Sequence, residues 1–154
     1  MFIVPFNAFA EVTEPALQQE ALATIRAHLA SQGRLICTLH NPVVRLRASD
    51  GQIHCRGKYA LPGQAGTLFL WTLENHDPGS PLVKGAQFYE LYDAEGRLQS
   101  KRFVDLQFFV HTRESFETLA CSQGYGVAAV YGDYARAEFQ AEASPFMIWV
   151  LDRQ

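Results

Sequence analysis

Three cysteines in 154 residues are too few to hold a fold together. Cys37, Cys55 and Cys121 are odd in number and far apart. That excludes a disulfide framework and describes reduced core or near-core thiols of an intracellular protein. Charge is sparse as well, at 19% of residues, with 13 basic against 16 acidic side chains. A formal charge of −3, with no basic cluster beyond Lys101-Arg102, gives no footprint for nucleic acid. No apolar run approaches the length of a membrane span. Met1 to Ala10 lacks the basic start of a secretion signal, and Pro5 and Asn7 break its apolar stretch. The expected location is the cytoplasm, with no membrane partner.

Reactive constellations are missing too. His28, His40, His54, His76 and His111 are scattered without zinc-like spacing, so no metal is expected. The adjacent His54 and Cys55 would point to opposite faces of a strand. Ser115 lies in no nucleophile elbow, and Cys121 has no identifiable base, so neither acyl nor thiol chemistry is supported. No glycine-rich turn leads from a strand into a helix. Gly124-Tyr125-Gly126 is the nearest glycine pair, but it follows a helix and reads as its stop.

What is present is apolar and aromatic. Hydrophobic residues make up 48% of the chain, which suits one globular domain with a sizeable core. Phe2 to Phe6 predicts a short buried strand. Thr13 is placed to cap a helix, with Glu14 and Pro15 in its first turn. Leu17, Ala21, Ile25 and Leu29 recur every four residues as its buried stripe, and Gly33 offers a left-handed stop. Leu35 to Leu39 forms the next strand. Strand, crossover helix, strand is a parallel unit.

The middle has a different period. Val43 to Arg47 and Gln52 to Tyr59 flank Asp50-Gly51, a hairpin signal. Thr67 to Glu74 is another strand, with Phe69, Trp71 and Leu73 on one side. Phe88 to Tyr92 and Leu98 to Val110 flank the turn Asp93-Ala94-Glu95-Gly96, and Pro78, Gly79 and Pro81 mark an exposed bend. Four or five antiparallel strands in succession predict a meander, inserted over residues 43–110, that packs as a small separate layer. The α/β pattern then returns. Thr112 caps a helix to about Gln123, with Phe116, Leu119 and Ala120 facing inward and Gly124 ending it. Val127 to Tyr131 and Phe146 to Leu151 predict neighbouring strands, with Pro145 at the entry to the last.

In this order the residues resemble a known family. Phe2-Ile3-Val4-Pro5-Phe6-Asn7-Ala8-Phe9 resembles the fourth core strand and following loop of class I S-adenosylmethionine-dependent methyltransferases. Ser31-Gln32-Gly33-Arg34 resembles the family's entry to strand five, and His40-Asn41-Pro42 the loop after it. The antiparallel insertion is similar to the sheet that covers the substrate in small-molecule members. Phe108 to Phe116, Tyr131-Gly132-Asp133-Tyr134 and Ser144 to Ile148 complete the likeness.

The resemblance implies an α/β fold: a partial doubly wound, Rossmann-like methyltransferase sheet with an inserted antiparallel meander, spanning 1–154 as one truncated domain. Family members hold the methionine moiety over a glycine-rich loop after strand one and the ribose on an acid ending strand two. Neither has a counterpart here. The implied piece is therefore the C-terminal half, binding S-adenosylmethionine only where another segment supplies the missing half-site.

The resemblance also points to site residues. Pro5, Phe6 and Asn7 form the cofactor-side loop, and Asn7 lies near the transferred methyl group, or else caps the loop. Phe6 and Phe9 line an apolar pocket or pack in the core. His40 orients a substrate or acts as a base near neutral pH. Asn41 is a substrate contact beside it, although Asn41-Pro42 is also a turn signal. Tyr131 offers a catalytic hydroxyl, and Asp133 binds substrate or holds a turn. Tyr89 and Arg102 are substrate-binding candidates whose side of the meander is open.

Three functions compete. One is a methyltransferase subunit whose missing half comes from another chain. The second is a non-catalytic dimeric interaction module. The third is a small-ligand domain using the meander, with Trp71, Tyr89 and Phe108, as a cup. An apolar strand edge at Phe2 to Phe6 invites pairing, so a homodimer through that edge is expected.

Overall fold

The computed structural model describes residues 1–63 and 65–154. In chain order come β1 (Phe2–Val4), a 3-10 turn (Ala8–Glu11), α1 (Pro15–His28), β2 (Arg34–His40) and the single turn α2 (Pro42–Arg45). β3 (Asp50–Ala60), β4 (Gly66–His76), β5 (Leu82–Asp93) and β6 (Leu98–Phe109) follow. The chain ends with α3 (Arg113–Ser122), β7 (Tyr125–Tyr131) and β8 (Phe146–Arg153). Two units emerge: Met1–Arg47 with Phe108–Gln154, and Ala48–Gln107, whose limits fall inside the expected insertion.

The sheet of the first unit has the order β1-β2-β8-β7. β1 and β2 run parallel, as the strand–helix–strand reading requires. β8 lies antiparallel between β2 and β7. Opposed pairs put Leu35, Cys37 and Leu39 on one face with Leu151, Trp149 and Met147, all buried. The helices pack there: the Phe116 ring of α3 lies 5.1 Å from that of Trp149. Tyr125 donates its hydroxyl to the carbonyl of Leu22 on α1 at 2.9 Å, and Arg26 donates to the Gly124 carbonyl at 3.0 Å. Fully burying an apolar side chain of this size stabilises by about 1.5–3 kcal/mol.

Several expectations need correction. β1 stops at Val4, because Pro5 has no amide donor and Phe6 and Asn7 turn left-handed, at φ 54° and 61°. Phe6 is 83% exposed, so it packs in no core, and Phe2 and Ile3 are exposed too. Glu14, not Thr13, is the N-cap residue of α1. Its buried residues are Gln18 and Leu22, whereas Leu17 is 52% exposed. A strict four-residue spacing drifts about 40° per step around a helix of 3.6 residues per turn, so the stripe starts off the core at Leu17, is half-buried at Ala21 and Ile25, and is buried at Leu29. Gln18 is satisfied by donating to the Val12 carbonyl at 2.7 Å.

Gly33 is not left-handed and ends no helix, since α1 stops at His28. It is needed for close approach: a Cβ there would lie 2.9 Å from the Ala30 carbonyl oxygen. Gly124 does turn left-handed, at φ 76°, and ends α3 as expected. Thr112 caps α3 by accepting from the Ser115 amide at 3.1 Å.

Val43 to Arg47 forms no strand. Asn41 accepts from the Val43 amide and Pro42 takes the first helical position, so the segment coils into α2 and a 3-10 turn (Leu46–Ala48). Asp50-Gly51 lies within β3, at an irregular register rather than a hairpin turn. The meander therefore has four strands, in the order β3-β4-β5-β6. The Asp93 carboxylate holds the β5–β6 turn by accepting from the Glu95 and Arg97 amides. Cys37 is buried, but Cys55 and Cys121 are exposed rather than near-core.

Candidate functional site

Parallel β1 and β2 bring their C-terminal ends to one edge of the first sheet. β8 enters at that edge, with Phe146 opposite His40, and β7 leaves there, with Tyr131 opposite Ile148. Asn7, His40, Asn41, Tyr131 and Asp133 thus belong to the carboxyl edge, where open α/β sheets place ligands. Tyr89 and Arg102 belong to the second unit. Tyr89 alternates with Phe88 and Glu90, and Arg102 with Lys101 and Phe103. The contacts Phe88–Phe103 and Glu90–Lys101 therefore leave Tyr89 and Arg102 sharing the opposite face.

Asn7 is held left-handed, a conformation its short amide side chain tolerates. Its carbonyl accepts from Ala10 at 2.9 Å, yet its side chain caps nothing. The buried Oδ1 has no hydrogen-bond partner among the described residues. An unsatisfied buried acceptor costs about 1–3 kcal/mol, so it is an opening for a donor. Pro5 beside it accepts from Ala8 at 3.1 Å. Phe9, two residues on, is buried against His111 and Phe116 and belongs to the core.

His40 ends β2 with its ring 5.7 Å from that of Phe108, over which the Arg45 guanidinium sits at 4.8 Å. Burial first, and then the Arg45 charge, push its pKa down to about 4. The imidazole is neutral at pH 7, so it accepts a proton only weakly. Asn41 is fully committed. Its amide donates to the carbonyls of Ala141 at 2.7 Å and Ser144 at 2.8 Å, while its Oδ1 accepts from Val43. With both donors used, Asn41 ties the strand end to the distant 141–144 loop. The Asp133 carboxylate likewise accepts from the amides of Ala135 at 2.8 Å and Ala137 at 3.0 Å, which makes it the clasp of a turn. Tyr131 is half-buried and bridges to Glu138.

His111 was not singled out by the sequence. It is buried, neither ring nitrogen has a partner among the described residues, and its ring lies 4.5 Å from that of Phe109. Burial pushes its pKa down to about 4. A lone histidine before a helix cap carries no spacing signal, so only the fold shows that Phe9 joins the Asn7 turn to His111. A cavity of about 370 Å³ lies in the same unit, lined by Pro42, Val43, Phe139 and Met147 with Thr112 and Arg113. Among the described residues no group of three or more metal-ligating side chains converges, and no helix is long and apolar enough to cross a membrane.

No family model matches the chain, and no curated protein does. Solved structures do. The CcbJ methyltransferase of Streptomyces caelestis superposes with a TM-score of 0.74 at 16% identity, over 99% of this chain and 59% of its own. An S-adenosylmethionine-dependent methyltransferase of Clostridium acetobutylicum gives 0.74 at 8% identity, over 96% of this chain and 55% of its own. CalS10, an amino pentose methyltransferase of Micromonospora echinaspora solved with S-adenosylmethionine bound, gives 0.65 at 17%, over 99% and 57%. The chain has the α/β, Rossmann-like methyltransferase fold with antiparallel strands, and spans between 55% and 59% of the length of these proteins.

Proposed function

We propose that this chain supplies the substrate side, and one wall of the cofactor crevice, of a small-molecule S-adenosylmethionine-dependent methyltransferase. The unsatisfied Oδ1 of Asn7, buried at the carboxyl edge of a methyltransferase-like sheet, carries this reading. In it Asn7 accepts a hydrogen bond from the bound ligand, and Pro5 and Phe6 form the wall beside it. The chain's residues do not suffice for the cofactor. Among the described residues no glycine turn leads from a strand into a helix, so no donor nest for the methionine moiety is present.

The remaining half-site is supplied by a strand, glycine turn and helix pairing along the free edge of β1. That edge bears Phe2 and Ile3, both exposed. On α1, Leu17, Ala21, Thr24 and Ile25 line an apolar groove of about 490 Å³ suited to the accompanying helix. Methyl transfer chiefly needs alignment of donor and nucleophile. His40, neutral at pH 7, orients the acceptor, with Tyr131 as a second polar contact. Asn41 and Asp133 act by holding the loops. The amino pentose named for CalS10 makes an amino sugar the first acceptor to try.

A second reading is a non-catalytic module in which a second copy pairs along the β1 edge. The full commitment of Asn41 and Asp133 to backbone groups favours it. Release of S-adenosylhomocysteine separates the two. The chain alone is expected to give none, whereas the chain mixed with a polypeptide bearing the strand, glycine turn and helix is expected to turn over. Asn7→Ala should abolish that turnover. A mixture that stays inactive on every amino sugar favours the module, and turnover by the chain alone contradicts the need for a second segment.

A further inference from the structure

The cavity of about 370 Å³ in the first unit is large enough for a small organic ligand and takes no part in the Asn7 site. It opens where β2 ends and β8 begins, and none of Pro5, Phe6, Asn7, His40 and Tyr131 lines it. Met147 of β8 and Asn41 after β2 are its buried lining. Pro42, Val43 and the half-buried Phe139 add apolar surface. Thr112, Arg113 and Glu114, all exposed, supply polar groups at the opening.

Most of these polar groups are already spent. The Asn41 amide donates to the carbonyls of Ala141 and Ser144, and its Oδ1 accepts from Val43. The Thr112 hydroxyl oxygen accepts from the Ser115 amide at 3.1 Å. The Glu114 carboxylate is held below its ordinary range first by its own backbone amide and then by the Thr112 hydroxyl, so it is turned to the helix end. The first turn of α3 is thus served by the chain's own groups. Arg113 is different. Among the described residues its guanidinium forms no salt bridge and no hydrogen bond, and it lies 5.9 Å from the centre of the Phe139 ring. A planar cation with five donors is left at the mouth of an apolar pocket.

We infer that this cavity binds a small aromatic carboxylate, its ring against Phe139 and Met147 and its carboxylate paired with Arg113. The unspent cation selects the anion, because a guanidinium meets a carboxylate through two parallel hydrogen bonds. The apolar lining selects the rest, since a bare inorganic anion would leave Pro42, Val43, Phe139 and Met147 without contacts. An aromatic body suits this lining: Phe139 offers a ring to stack on and Met147 a thioether. The volume is at the low end for ligand pockets, which limits the body to a single ring. Glu114 at the same opening opposes a second negative charge, so the ligand is a monoanion. The inference does not depend on the methyltransferase reading.

Phenylacetate is the probe, with methyl resonances of the whole chain as the readout. The sequence holds two methionines, so Met147 reports from the cavity and Met1 is the control. The expected result is a saturable shift of the Met147 methyl while Met1 stays unmoved. Phenylacetamide, the neutral counterpart, and 2-phenylethylammonium should bind more weakly by a factor on the order of ten. Arg113→Met should erase the preference for the acid with unchanged circular dichroism, and Phe139→Ala should weaken acid and amide alike. Arg97→Met, an exposed cation in the second unit, should change neither. No Met147 shift up to the solubility of the probe overturns the inference. Equal binding of acid and amide also overturns it, as does a preference that survives Arg113→Met. Should Phe139→Ala misfold, the Arg113→Met comparison decides.

Discussion

The two sheets bury their side chains in different ways. In the first unit, β2 and β8 press Leu35, Cys37, Met147 and Trp149 against α1 and α3 until none is exposed. In the second, Phe69, Trp71 and Tyr92 stack edge and face on one another, with Lys58 over the Phe69 ring and Lys101 over that of Phe88. A two-layer core carries stability within one chain, whereas a lone aromatic face carries little until something covers it. The difference places the deeper core in the first unit.

The sharpest way to break that comparison is truncation of one ring in each sheet. Trp149→Ala removes a fully buried side chain and should cost about 3–5 kcal/mol in urea unfolding. Phe103→Ala removes an exposed one and should shift monomer stability by less than about 0.5–1 kcal/mol. Equal losses would mean that the small sheet is as deeply cored as the first.

Acid separates the units next. Burial lowers the pKa of His111 from 6.5 to about 4, and that of His40 similarly, with Arg45 adding to the effect. A lowered imidazole pKa means that the unfolded chain takes up the proton first. Stability from these groups is therefore full above pH 6.5 and falls between 6.5 and about 4. For His111 the loss is of order 3 kcal/mol, and His111→Phe should flatten stability over that window. In the second unit Glu90 is held below the usual carboxylate range, first by its bond to Lys101. Its contribution is present above pH 4.5 and is lost as pH falls through the lowered value. The first unit should therefore weaken at a higher pH than the second, which hydrogen exchange followed against pH would show.

Smaller effects sharpen the picture. Thr112→Ala removes the cap of α3 and should cost about 1 kcal/mol in thermal unfolding. Lys101→Met breaks a part-exposed pair and should cost less than about 1 kcal/mol in the same measurement.

The legible parts of the fold were those set by local period. Leu35 to Leu39, apolar but for Thr38, became β2, and the Asp93 to Gly96 turn with alternating Phe69, Trp71 and Leu73 became part of the meander. Where a residue answers to a distant partner, the local pattern misled. Val43 and Val44 favour strands, yet the Asn41 cap and Pro42 coil them, and the Asn41 amide is claimed by Ala141 and Ser144 a hundred residues away. Gln18 is buried because the Val12 carbonyl satisfies it, a pairing no hydropathy pattern displays. Of the candidate site, the carboxyl edge was legible from the order of the strands. The unsatisfied Asn7 and His111 were not, since burial without a partner is a property of the packed chain.

Calorimetric titration of the purified chain with S-adenosylmethionine tests the central claim most directly. The account predicts no saturable heat for the chain alone, and one site per chain once a strand, glycine turn and helix pair with β1. Saturable binding by the chain alone would contradict it, because the site would then be complete within these residues.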